Sequence, residues 1–129
     1  MKWLGVKPYL ELPSYLTYFD CAMIPFVASE VTASSSPVKL FEYLAAGKLV
    51  VARELPECQG MTPVLTSQSA AEFVRGVDRA LDLRLDPEVV QAAVKIGERN
   101  SWTARAEELL DTLAERSREE AQSIQGPRV

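Results

Sequence analysis

Two short, unbroken apolar runs limit this chain more than any other feature. Residues 21–25 (CAMIP) and 49–52 (LVVA) carry no polar side chain at alternate positions. A strand with one wet face alternates apolar and polar residues, whereas a strand covered on both faces stays apolar throughout. Before, between and after these runs lie segments with helical spacing. Leu12, Leu16 and Phe19 recur at helical intervals, as do Leu40, Phe41, Leu44 and Ala45. Strands alternating with helices predict an α/β fold, a parallel sheet with helices on both faces.

The remaining elements follow the same logic. Residues 3–6 read as a first strand and residues 63–66 as a short last one. A helix is predicted over 11–20, with Pro13 in its first turn, and another over 37–46. Between these helices, residues 26–36 read as a loop with no period, long enough to suggest a function. Ser69 and Glu72 form a capping box ahead of Phe73, Val74, Val77 and Leu81. Asp86 and Pro87 open a helix carrying Val89, Val90, Ala93 and Ile96. Ser101 caps a last helix with Trp102, Ala106, Leu109, Leu110 and Leu113 on one face. Beyond Arg116 the stripe stops, so residues 118–129 are expected to be a fraying polar tail after a domain over 1–117.

Composition narrows the function. A length of 129 residues suits one domain with a core, and 47% hydrophobic with 25% charged residues is the balance of a globular protein. The net charge of -4, with both signs interspersed, argues against nucleic-acid binding. The chain has no histidine, so the commonest general base and metal ligand is absent. Cys21 and Cys58 are too few for a zinc site or a disulfide scaffold and read as reduced, structural residues. No signal-peptide pattern or membrane-spanning run is present, which makes the cytoplasm the default location.

The candidate site is the stretch SSSPVKLFE, residues 34–42. Ser36 suits an N-cap and Pro37 the first helical position. A helix start offers free N–H groups and the positive end of the helix dipole, which suit a phosphate. Ser34, Ser35 and Ser36 leave room for its approach. Lys39 and Glu42 share a helix face, placing an ammonium near a diphosphate and a carboxylate one turn further in. Such a carboxylate can accept two hydrogen bonds from a ribose diol. A plain helix start with a solvated Lys39–Glu42 pair accounts for the same residues. The aromatics Tyr9, Tyr15, Tyr18 and Phe19 read as core and edge packing. Spacing alone therefore stops at an α/β domain with a candidate anion site.

The string SPVKLFEYLAAGKLVVA resembles the donor-binding segment of retaining GT-B-type glycosyltransferases, the group 1 glycosyl transferases. YLELPSYLTYFDCAMIPF is similar to the segment before it, and NSWTARAEELLDTL to the closing helix. The motifs fall in the family's order from Trp3 to about Leu113. The resemblance implies a partial Rossmann-like parallel sheet with flanking helices and a helical C-terminus. Glu42 matches the second glutamate of the Glu-x7-Glu motif, which holds the donor ribose. Val38 and Lys39 match the positions whose backbone N–H groups meet the diphosphate, Ser36 and Pro37 shape that turn, and Val6 and Lys7 match the loop lining the base.

Two departures accompany it. Ser34 stands where the motif's first glutamate would fall. The acceptor domain and the first two strands of the donor domain have no counterpart. The chain is therefore expected to be a fragment, a truncated gene product or one piece of a split enzyme, and inactive alone. The implied ligand is a nucleoside diphosphate sugar, used as substrate, with no cofactor and no metal. Implied partners are the absent acceptor-binding domain or a second chain. Self-association through an exposed sheet edge is expected, and peripheral membrane contact is left open for the parent enzyme of polysaccharide biosynthesis. The rival reading is a non-catalytic α/β interaction module.

Overall fold

The computed structural model describes residues 2–27, 29–34 and 36–124. The chain divides into two units, Met1–Glu98 and Arg99–Val129. The first unit is built on a parallel sheet of β1 (Ala22–Ile24), β2 (Val50–Arg53) and β3 (Leu65–Ser67), in the order β1-β2-β3. Ala22 pairs with Val50 and Val51 with Leu65.

The apolar runs become strands because both of their faces are covered. Side chains alternate along a strand, so successive residues of β2 enter different cores. Val50 and Ala52 pack with Ala22, Ile24, Leu40, Leu44 and Ala93. Leu49 and Val51 pack on the other side with Ala80, Phe73 and Val77. The first face is covered by α3 (Val38–Ala45) and Ala93 of α5 (Pro87–Arg99), the second by α4 (Ala70–Leu83). Leu40, Leu44, Leu49, Val50 and Val51 are fully buried, each contributing up to about 1.5–3 kcal/mol of transfer free energy. Ser67, the buried polar residue of the core, donates from Oγ to the Ala52 carbonyl at 3.2 Å. The expected α/β class, a partial Rossmann-like parallel sheet with flanking helices, is what the fold shows.

Glycine sets two features near α3. Gly47 takes φ 70°, and the N–H groups of Gly47 and Lys48 donate to the Leu44 and Tyr43 carbonyls, both at 2.9 Å. That double bond pattern closes the helix end. Gly97 of α5 lies against α3 so closely that a Cβ there would sit 2.3 Å from the Ala45 backbone nitrogen.

Several expectations are corrected. Residues 3–6 form no strand: Trp3 is 87% and Val6 97% exposed, and Gly5 has φ 72°. A strand needs a hydrogen-bonded neighbour, and positive φ at Gly5 breaks the extended line. The helix expected over 11–20 is a 3-10 turn, Tyr9–Glu11, followed by a short α1, Leu12–Leu16. The loop before α3 contains a single helical turn, α2 (Glu30–Ala33), with Ser29 and Thr32 in a reciprocal cap. The last strand lies slightly later than expected, at Leu65–Ser67. The sheet as described ends at β1, where Met23 is 55% exposed.

The second unit holds α6, Trp102–Ile124. Its start is capped as expected, Ser101 Oγ accepting from Ala104 N at 3.2 Å. The helix extends past residue 118, where a polar tail was expected, to Ile124, and 125–129 lie outside the described residues. Intrahelical bonding and a run of good helix formers carry it past the end of the apolar stripe. Trp102, Leu109, Leu110 and Leu113 are exposed. Among the described residues, no helix is long and apolar enough to cross a membrane.

Candidate functional site

Alongside α3 runs a groove of about 340 Å³, lined by Tyr9, Leu12, Pro13, Leu16, Glu42, Ala45 and Ala46. Its opposite wall is α1 and the 3-10 turn before it. The volume lies at the small end of ligand pockets, which span about 300–1,000 Å³. The walls are apolar except at one place. There the Tyr9 hydroxyl donates to Glu42 Oε1 at 2.9 Å. This bond raises the Tyr9 pKa above the ordinary phenol value, reinforced by the charge of Glu42 and then by desolvation.

Local sequence explains the placing of Glu42. The stripe Leu40, Phe41 and Leu44 turns one side of α3 into the core. Glu42 falls off that stripe, half-buried at the helix edge. Ala45 and Ala46 follow it with side chains too small to fill the groove.

The start of α3 differs from expectation by one residue. The N-cap is Pro37, with φ -76° and ψ 98°, and the helix begins at Val38. Pro37 offers no side-chain acceptor, so no side chain caps this turn. The first bond is from Leu40 N to the Pro37 carbonyl, at 2.8 Å. Ser36 is therefore not the cap, and its Oγ donates instead to Glu57 Oε1 at 3.3 Å. The N–H groups of Val38 and Lys39 belong to the first turn of a helix start that no side chain caps, and Glu42 lies about 6 Å beyond Val38 along the axis. Val38 and Lys39 are both exposed.

Of the other expected site residues, few converge. Glu42 reaches Tyr9 rather than Lys39, with which it forms no ion pair. Ser34 ends α2, and its Oγ donates to the Glu30 carbonyl at 2.9 Å. Ser35 lies outside the described residues. Val6 points into solvent, and Lys7 sits over the Tyr15 ring, 5.4 Å from its centre. Neither lines the groove. Tyr9, Tyr18 and Phe19 are exposed rather than core residues.

The sequence reading missed Tyr9, Leu12, Pro13 and Leu16 as site residues. Tyr9 and Glu42 are 33 positions apart, and no local period reports such a contact. Among the described residues, no cluster of three or more His, Cys, Asp or Glu could hold a metal. Cys21 and Cys58 are free, and burial raises both thiol pKa values, with Asp20 and Glu57 adding to the effect.

Fold and groove together describe an α/β domain with a groove along α3 that holds one carboxylate among apolar walls. No protein-family model matches the chain, and no solved structure does. The chain is 35% identical over 80 residues to the "Putative teichuronic acid biosynthesis glycosyltransferase TuaH" of Bacillus subtilis (strain 168). The match covers 62% of this chain and spans 19% of that protein's length. It supports a relationship to glycosyltransferases.

Proposed function

We propose that this chain is the donor-binding part of a retaining, GT-B-type glycosyltransferase. The parent enzyme would transfer a sugar from a nucleoside diphosphate to a hydroxyl acceptor. The observation that carries this reading is Glu42 in its groove, one turn inside a helix start that no side chain caps. The diphosphate would meet the N–H groups of Val38 and Lys39, where the helix dipole and the Lys39 ammonium favour an anion. The ribose diol would reach the Glu42 carboxylate, and the nucleoside would lie against Leu12, Pro13 and Leu16. The acceptor would be held by a further domain or a second chain.

Titration of UDP, GDP and ADP into the purified chain, by calorimetry, tests this. A charge-assisted hydrogen bond contributes about 1.5–3 kcal/mol, so Glu42→Gln should weaken the best ligand roughly tenfold or more. Equal affinity of the two chains for every nucleotide would refute the role given to Glu42. One observation favours the rival reading of a non-catalytic module. The Ser34 hydroxyl is spent on the Glu30 carbonyl, as part of a helix end rather than turned toward a sugar.

A further inference from the structure

We propose that Tyr9 is a built-in competitor for Glu42: its hydroxyl occupies one of the acceptor sites on the carboxylate that a ribose diol would use, and the two compete for it. This rests on the nucleotide reading of the groove. A carboxylate binds two adjacent hydroxyls best when each hydroxyl takes one oxygen. Here one acceptor site of Oε1 is already filled by the Tyr9 hydroxyl at 2.9 Å. Tyr9 and Glu42 are also the two lining residues with polar side chains. The tyrosine therefore satisfies the one charged group in an otherwise apolar groove.

Tyr9 is placed to move. It sits on a single 3-10 turn whose bonds, from Glu11 N to the Pro8 carbonyl at 3.0 Å and from Leu12 N to the Tyr9 carbonyl, are local. Its side is 70% exposed, so swinging it away uncovers no core. Tyr43, on the same helix as Glu42, is partly buried against the main core and has no such freedom. A ligand offering a diol replaces that bond with two, whereas a ligand with one hydroxyl can use Oε2 and leave Tyr9 in place.

The test titrates UDP, GDP and ADP, each beside its 2′-deoxy form, into the native chain, Tyr9→Phe and Glu42→Gln. Phenylalanine keeps the ring and removes only the competing hydroxyl. One hydrogen bond of ordinary net strength corresponds to about a two- to tenfold change. Tyr9→Phe should raise affinity for the preferred ribonucleotide by that factor and leave its 2′-deoxy form unchanged. Unchanged affinity for the ribonucleotide would mean that the ring matters by stacking or not at all. Reduced affinity would mean that the hydroxyl contacts the ligand. Either result overturns the competitor role; if Glu42→Gln still weakens binding, the nucleotide reading survives it. Binding by none of the three chains, or equal binding by native chain and Glu42→Gln, overturns the nucleotide reading and the competitor with it.

Discussion

Replacing Gly97 by alanine should destabilise the first unit, because α5 and α3 meet there backbone to backbone. A Cβ at this position would lie 2.3 Å from Ala45 N, 2.5 Å from its Cα and 2.7 Å from its Cβ. Non-bonded carbon contacts are comfortable at about 3.5–4.0 Å. The helices would have to part by about 1 Å, since both nearest obstacles are main-chain atoms that no rotamer change can move. Overpacking of this kind costs about 1–3 kcal/mol, and the contact depth points to the upper end. Alanine recovers up to about 1 kcal/mol through its better helix propensity. The net expectation is a loss of about 2 kcal/mol. For a cooperative unit of this size that lowers Tm by roughly 10 °C. Thermal unfolding followed by far-ultraviolet circular dichroism measures it, with Gln91→Ala on the exposed side of α5 as the control. Gly97→Val should be worse again. A Gly97→Ala chain melting with or above the native one would show that the helices do not approach as described. Ala45 also lines the groove, so the same substitution should weaken nucleotide binding.

Three further outcomes are expected. With the acceptor held by a further domain or a second chain, as proposed, the purified chain should transfer no sugar from any nucleotide donor, because holding reactants together contributes roughly 7 kcal/mol or more; detection of a glycosylated product by mass spectrometry would contradict this. The Tyr9 phenol should ionise above the ordinary tyrosine range, and Glu42→Gln should bring it back down, as read by ultraviolet difference titration. A raised native pKa means that stability from this bond is complete below the unfolded value of about 10 and is lost as pH rises through the native one. Glu72 behaves in the opposite sense. The N–H groups of Gln68 and Ser69 hold its pKa below the ordinary glutamate value, so its contribution is present above the unfolded pKa and fades as pH falls through the native one. Glu72→Ala should flatten the acid limb of the unfolding curve, and an unchanged limb would show that the cap contributes nothing there.

The sheet and its covering helices were legible because they depend on local pattern. The runs around Val50 and Ile24 are apolar at every position, and Ser69 with Glu72 announces α4 as a capping box. Residues 3–6 misled because apolar character alone does not make a strand; a partner to bond with does. The cap of α3 was misplaced by one residue because Ser36 followed by Pro37 admits two geometries, and the serine hydroxyl found Glu57 instead. Spacing placed Glu42 off the apolar stripe of its helix, where it lines the groove. It could not point to the partner Tyr9, since the contact depends on how the segment before β1 folds back over α3.

The double burial of β2 leaves a hidden ambiguity in strand alignment. In most sheets a shift of one residue is forbidden because it drives polar side chains inward. Sliding β2 by one position would exchange Leu49 and Val51 with Val50 and Ala52, all of them apolar, so within this strand only Arg53 at its end carries a polar mark of register. Polarity therefore polices the threading of this strand weakly. Ser67 adds a second mark. Its buried hydroxyl meets the Ala52 carbonyl in the register that pairs Ala52 with Thr66 and Arg53 with Ser67. A hydroxyl left in the core without an acceptor costs about 1–3 kcal/mol. A single buried oxygen thus serves as an index mark in a strand pair whose apolar pattern offers little else.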